Sequence, residues 1–144
     1  MNAGTTTSSA GAQRTRQRPL RIVVADDDPD TVLTLTMLLE DEGHVVQGVE
    51  NGDEVMRLVR RMRPDAVILD IGMPGQSGYA VAQDIRAAYY GMRKPLLIAI
   101  TGLYKKPADR MLSQMVGFDH HLLKPYDAKD ITDLLQPLAR RSDS

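Results

Sequence analysis

Hydrophobic and polar positions along the chain repeat one pattern five times: a short apolar run rich in Val and Ile, a polar break, then a stretch of helical period. The runs cover 20–25, 44–49, 66–70, 96–100 and 120–123. They read as strands, because β-branched side chains fit a pleated, buried surface. Between them, Val32, Leu35, Leu38 and Leu39 share one helical face, as do Val55, Leu58, Val59 and Met62 over about 53–62. Val81, Ile85 and Ala88 form the stripe of a helix over 79–90, and 107–116 predicts another, with Met111 and Met115 as its inner pair. Ile131, Leu134, Leu135 and Leu138 define a last helix over 128–139. Punctuation agrees with the period. Asp28 before Pro29 is an N-cap with proline at the first helical position, and Gly43, Pro64 and Gly117 end helices.

Strand and helix alternate as βαβαβαβαβα. Right-handed crossovers then give a doubly wound α/β domain, a five-stranded parallel sheet with helices on both faces. A length of 144 residues suits one such domain. The predicted unit spans 20–140, with short tails at 1–19 and 141–144. The first tail is rich in Ser, Thr, Gly and Ala, carries Arg14, Arg16 and Arg18 without an acid, and is expected to be disordered.

Composition narrows the chemistry mainly by exclusion. With 18 Lys+Arg against 19 Asp+Glu there is no global attraction to nucleic acid or anionic membrane. No cysteine is present, which removes disulfides and the commonest zinc ligand. No apolar run reaches the roughly 18–20 residues of a membrane span, and the first residues lack a signal-peptide core, so a cytoplasmic location is expected.

Candidate chemistry gathers at the carboxyl ends of the strands, where open α/β sheets place their ligand sites. Asp26 and Asp27 follow the first strand, Asp70 ends the third, Thr101 follows the fourth and Lys124 the fifth. Asp70 alone reads as metal ligand, nucleophile or loop cap. Three neighbouring carboxylates need countercharge, which a hard divalent ion such as Mg²⁺ supplies, with Mn²⁺ as its substitute. Metal, ammonium and hydroxyl together would surround a tetrahedral oxyanion on one of the acids, the equipment of phosphoryl transfer through an aspartyl phosphate. Asp70 is then the expected acceptor.

The ordered set of Asp26-Asp27, Asp70 with Pro74-Gly75 four residues on, Thr101, and Lys124-Pro125 resembles the receiver domain of two-component response regulators. The resemblance covers about 20–140 and implies a flavodoxin-like receiver fold. It makes Asp70 the phosphoacceptor, Asp27 the principal side-chain ligand of Mg²⁺ with Asp26 assisting, and the Gly72 backbone carbonyl a further ligand. Thr101 and Lys124 become the phosphoryl-contacting hydroxyl and ammonium. It also implies a phosphohistidine donor on a histidine kinase or phosphotransfer protein, and a downstream protein target. That target would read the face formed by the fourth helix, fifth strand and last helix of the prediction. A phosphorylation-dependent homodimer is a further expectation; direct contact with nucleic acid or membrane is not. The run 117–122 resembles receivers of hybrid kinases, so both a stand-alone regulator and a hybrid's receiver fit.

Two positions depart from the family pattern. His121 stands where the family usually carries the aromatic switch residue that moves with Thr101. Gly72 and Leu103, each two residues beyond a site residue, offer no polar group to orient a hydrolytic water, so slow self-dephosphorylation is expected. Among competing readings, a phosphohydrolase of the haloacid dehalogenase kind would have an acid at Gly72. A flavodoxin-like cofactor binder would have a Ser/Thr-rich phosphate loop in place of Asp26-Asp27-Asp28. A pseudo-receiver adaptor would not need the intact acceptor set.

Overall fold

The computed structural model describes residues 18–73, 75–89, 91–102 and 117–140. Five parallel strands, β1 Arg21–Ala25, β2 Val45–Val49, β3 Ala66–Asp70, β4 Leu96–Thr101 and β5 His120–Leu123, form one sheet in the order β2-β1-β3-β4-β5. Four described helices connect or flank them: α1 Pro29–Asp41, α2 Val55–Met62, α3 Gly78–Ala88 and α4 Ala128–Arg140. The helix expected at 107–116 lies outside the described residues, together with Leu103, Met111 and Met115.

Both faces of the sheet are covered, which is why the three central strands are apolar almost throughout. Val23, Ala25, Val67, Leu69, Leu97 and Ala99 pack with α2 and α3 on one face. Ile22, Val24, Ala66, Ile68, Ile98 and Ile100 pack with α1 and α4 on the other. Strand order reverses direction at β1, since the chain moves outward to β2 and then returns past β1 to β3. The crevice beyond the carboxyl ends of β1 and β3 is therefore the natural ligand position.

Local chemistry sets the helix ends. Asp28 accepts from the Asp30 N–H at 3.1 Å, and Pro29 opens α1, as the sequence predicts. Ser77 caps α3 by accepting from Ala80 N–H at 3.2 Å. The helix expected over 53–62 is instead a 3₁₀ turn at Gly52–Glu54 followed by α2, because Asn51 Oδ1 accepts from Glu54 N–H and tightens the entry. Arg63, with φ 51°, rather than Pro64, closes α2. In α3, Ala82 is buried and Ala88 exposed, since 88 is the last helical residue and has left the sheet face.

The strand expected at 44–49 begins at Val45. His44 lies outside it, and its Nδ1 accepts from Leu20 N–H at 3.0 Å. The expected tail at 1–19 overlaps the fold by two described residues. Arg18 donates its N–H to the Ala139 carbonyl at 2.8 Å and pairs with Asp65 at 3.4 Å.

Candidate functional site

Parallel pairing brings the predicted residues together. Asp70 lies level with Ile100 in the β3–β4 ladder and Thr101 level with Leu123 in β4–β5. Lys124 continues that ladder one residue further, its N–H donating to Thr101 O at 2.8 Å. Asp26 is tied to the end of β2 by its N–H to Val49 O at 3.1 Å.

Asp26, Asp27 and Asp70 each place a carboxylate oxygen within 4.8 Å of the others. Their environments differ sharply. Asp26 is fully buried, Asp70 is buried, and Asp27 is exposed. Asp26 Oδ1 accepts from Asp28 N–H at 2.9 Å, a turn that fixes the carboxylate. Its Oδ2 has no hydrogen-bond partner in good geometry, yet lies 3.1 Å from Lys124 Nζ. Asp70 Oδ1 accepts from Gly72 N–H at 3.0 Å, and its Oδ2 lies 3.4 Å from the same ammonium. Lys124 thus bridges the two buried acids.

Burial raises the Asp26 pKa, the Asp28 N–H opposes that, and the neighbouring charge of Asp70 raises it further. For Lys124, burial acts against the charge, but the hydrogen bond and attraction of Asp26, followed by Asp70, hold its pKa above the ordinary lysine value. Tyr126, which sequence reading did not single out, is raised by burial and then by the charge of Asp26. Thr101 is buried, and among the described residues its hydroxyl makes one long hydrogen bond, to Gly102 O at 3.5 Å. His121 on β5 is partly buried and engaged with a neighbour.

The donor set fits a hard cation. Two buried carboxylates and one exposed one converge, the buried Asp26 Oδ2 has no well-aligned hydrogen-bond donor, and every side chain in the group offers oxygen. Gly72 lies in the loop directly after Asp70, close to both the acid and the crevice. Beside Lys124 a cleft of about 710 Å³ opens between α1 and the start of α4, lined by Thr31, Leu35, Leu38 and Tyr126 among others.

A family model, the response regulator receiver domain, matches residues 22–136. The chain belongs to this family. Among relatives of the receiver domain described here, PilH of Pseudomonas aeruginosa is 32% identical over 111 residues, 77% of this chain and 90% of PilH. The DNA-binding response regulator MtrA of Mycolicibacterium smegmatis is 32% identical over 123 residues, 85% of this chain but 52% of MtrA, so the chain spans about half of that protein's length. A solved relative is the receiver domain of the sensor histidine kinase PA1611 of P. aeruginosa, which has a magnesium ion coordinated in its active site cleft. It superposes with a TM-score of 0.71 at 25% identity, covering 83% of this chain and 96% of that one.

The protein is therefore a receiver domain of two-component signalling, a signalling module rather than a conventional enzyme. Its Asp26, Asp27 and Asp70 cluster fits the family's Mg²⁺ site. No helix among the described residues is long and apolar enough to cross a membrane.

Proposed function

We propose that this receiver, spanning 20–140, accepts a phosphoryl group on Asp70 from a phosphohistidine of a histidine kinase or phosphotransfer protein. The observation that supports this most directly is Lys124 Nζ, 3.1 Å from Asp26 Oδ2 and 3.4 Å from Asp70 Oδ2, bridging two of three converging carboxylates. An Asp70 oxygen forms the new P–O bond as the donor's P–N bond breaks. The bond pair returns to the imidazole nitrogen, which takes up a proton. Asp26, Asp27, Asp70 and the Gly72 carbonyl would hold Mg²⁺, or Mn²⁺ in its place, which when bound supplies charge neutralisation for the phosphoryl oxygens.

Lys124 is tethered by carboxylates rather than by solvent, so it can shift its contact from Asp70 to a phosphoryl oxygen with little reorganisation. Thr101 offers its loosely held hydroxyl to the same group. Movement of Thr101 would then be transmitted along β5, through His121, to a downstream protein or a second copy of the chain. The chain catalyses only its own phosphorylation and slow dephosphorylation in this scheme, and acts in the cytoplasm without direct contact to nucleic acid.

Intact-mass measurement after incubation with acetyl phosphate and Mg²⁺ tests the reading. The wild type gains one phosphoryl group, whereas Asp70→Asn and an EDTA-treated sample do not. An unmodified wild type, or an Asn variant that gains the same group, overturns it.

A further inference from the structure

We propose that Asp53 is a positioning residue for the loop carrying Gly72, acting through its hydrogen bond to the Gln76 amide and not by touching metal or phosphoryl group. The inference rests on the metal-site reading of Asp70 and Gly72 and adds to it a residue on a different connection, the turn between β2 and α2.

The loop from Ile71 to Ser77 is anchored at its start. Ile71 donates its N–H to Ile100 O at 3.0 Å, and its carbonyl accepts from Gly78 N–H at 3.2 Å. The only bond recorded for Gly72 among the described residues runs to Asp70 Oδ1. Met73 then buries its side chain in the apolar core, and the rest of the loop is held from its far side.

That side is gripped by the turn 51–53. Asp53 Oδ1 accepts from Gln76 N–H at 3.2 Å. Gly75, with φ +79°, sits so close that a Cβ there would lie 2.7 Å from Asp53 Oδ2. Gly52 is buried against the same segment, and a Cβ on it would fall 1.8 Å from the Gln76 carbonyl oxygen. Two backbones thus meet at contact distance where only glycine fits, and a carboxylate–amide bond fastens them. Gln76 is held further by its side chain, which donates to Asp84 Oδ2 on α3 at 2.6 Å. The turn is itself fixed by the Asn51 bond to Glu54 N–H.

A plainer account makes Asp53 an acid favoured by the partial positive charge at a helix start. The two accounts separate on Asn, which keeps an oxygen acceptor but loses the charge. In metal-free protein, hydrogen exchange at the Gln76 amide should quicken about tenfold in Asp53→Ala and stay near wild type in Asp53→Asn. Amide chemical-shift titration with Mg²⁺ should show Kd weakened about tenfold in Asp53→Ala and within about twofold of wild type in Asp53→Asn.

An unchanged Kd in Asp53→Ala, or an Asn variant as weak as the Ala variant, overturns the proposal. A wild type that binds no Mg²⁺ sinks the metal-site reading instead, and the Gln76 exchange rates then still decide whether the latch exists. Asp53 is solvent-exposed, so both variants should fold.

Discussion

Lys124 Nζ stands 3.1 Å from the carboxylate of Asp26, an acid with no solvent exposure at all. The pair is the electrostatic centre of the receiver's acidic end even before any cation or phosphoryl group arrives. Removing one partner of a buried pair leaves the other uncompensated. Lys124 is one-third exposed, which moderates the effect. Lys124→Met should therefore lower stability at neutral pH by about 1–3 kcal/mol in urea unfolding. Asp26→Asn on the Lys124→Met background should recover most of that loss, since the buried charge is gone. Strict additivity of the two changes would show that the pair is not coupled.

A second expectation concerns pH and a residue far from the site. His44 accepts a hydrogen bond from Leu20 N–H through Nδ1, which only the neutral ring can do. Burial lowers its pKa, with nearby Asp65 opposing the shift. A histidine whose folded pKa lies below the unfolded value of about 6.5 binds protons more readily in the unfolded chain. Its contribution is present above about pH 6.5 and lost as pH falls through the folded pKa. Thermal midpoints should fall between pH 7 and 5 in the wild type and fall less in His44→Asn, whose Oδ1 can take the same N–H. Parallel pH profiles for the two proteins would remove His44 as the cause.

Close packing between α1 and the edge strand gives a third. A Cβ at Gly48 would lie 2.3 Å from Val32 Cγ1, a clash that a short branched side chain on a helix cannot evade. Gly48→Ala should cost about 1–3 kcal/mol, and pairing it with Val32→Ala should restore part of the loss. Equal thermal midpoints for Gly48→Ala and wild type would contradict this geometry.

The lifetime of the proposed aspartyl phosphate is a fourth. Gly72 carries no side chain, and among the described residues a Cβ there would meet only Asp70 Oδ1, at an ordinary 3.8 Å. Space therefore exists for a polar group that the native residue does not provide. Phosphorylated wild type should persist for minutes or longer after donor removal, and Gly72→Asn, able to orient a water, should decay faster. Decay of the wild type within seconds, followed by intact mass, would refute the expectation.

Much of this architecture was readable from single residues and their spacing. Asp28-Pro29 announced the start of α1, and the apolar runs of β3 and β4 marked strands covered on both faces, because caps and periods are local effects. The different fates of Asp26 and Asp27 were not readable. Two adjacent acids look alike in sequence, and only the pairing of Asp26 with Val49 and Lys124 turns one inward. His44 looked like the first residue of a strand, since nothing local reveals that its ring replaces a ladder partner for Leu20. Asp53 and Gln76 lie 23 residues apart, and their bond depends on the turns after β2 and β3 meeting beyond the carboxyl ends of the strands. Ala82 and Ala88 both fit the period of α3; where the helix stops decided between them.

The bond from Arg18 N–H to Ala139 O has a consequence for attachment. It brings the chain's entry into β1 and its exit from α4 to one point, at the amino ends of the strands. The acidic cluster lies at the other end of a five-residue strand, about 17 Å away. Cargo joined directly at residue 18 or residue 140 would hang from the same pole, leaving the opposite pole open to a docking donor. A short, rigid label at those two residues should therefore leave access to Asp70 unobstructed.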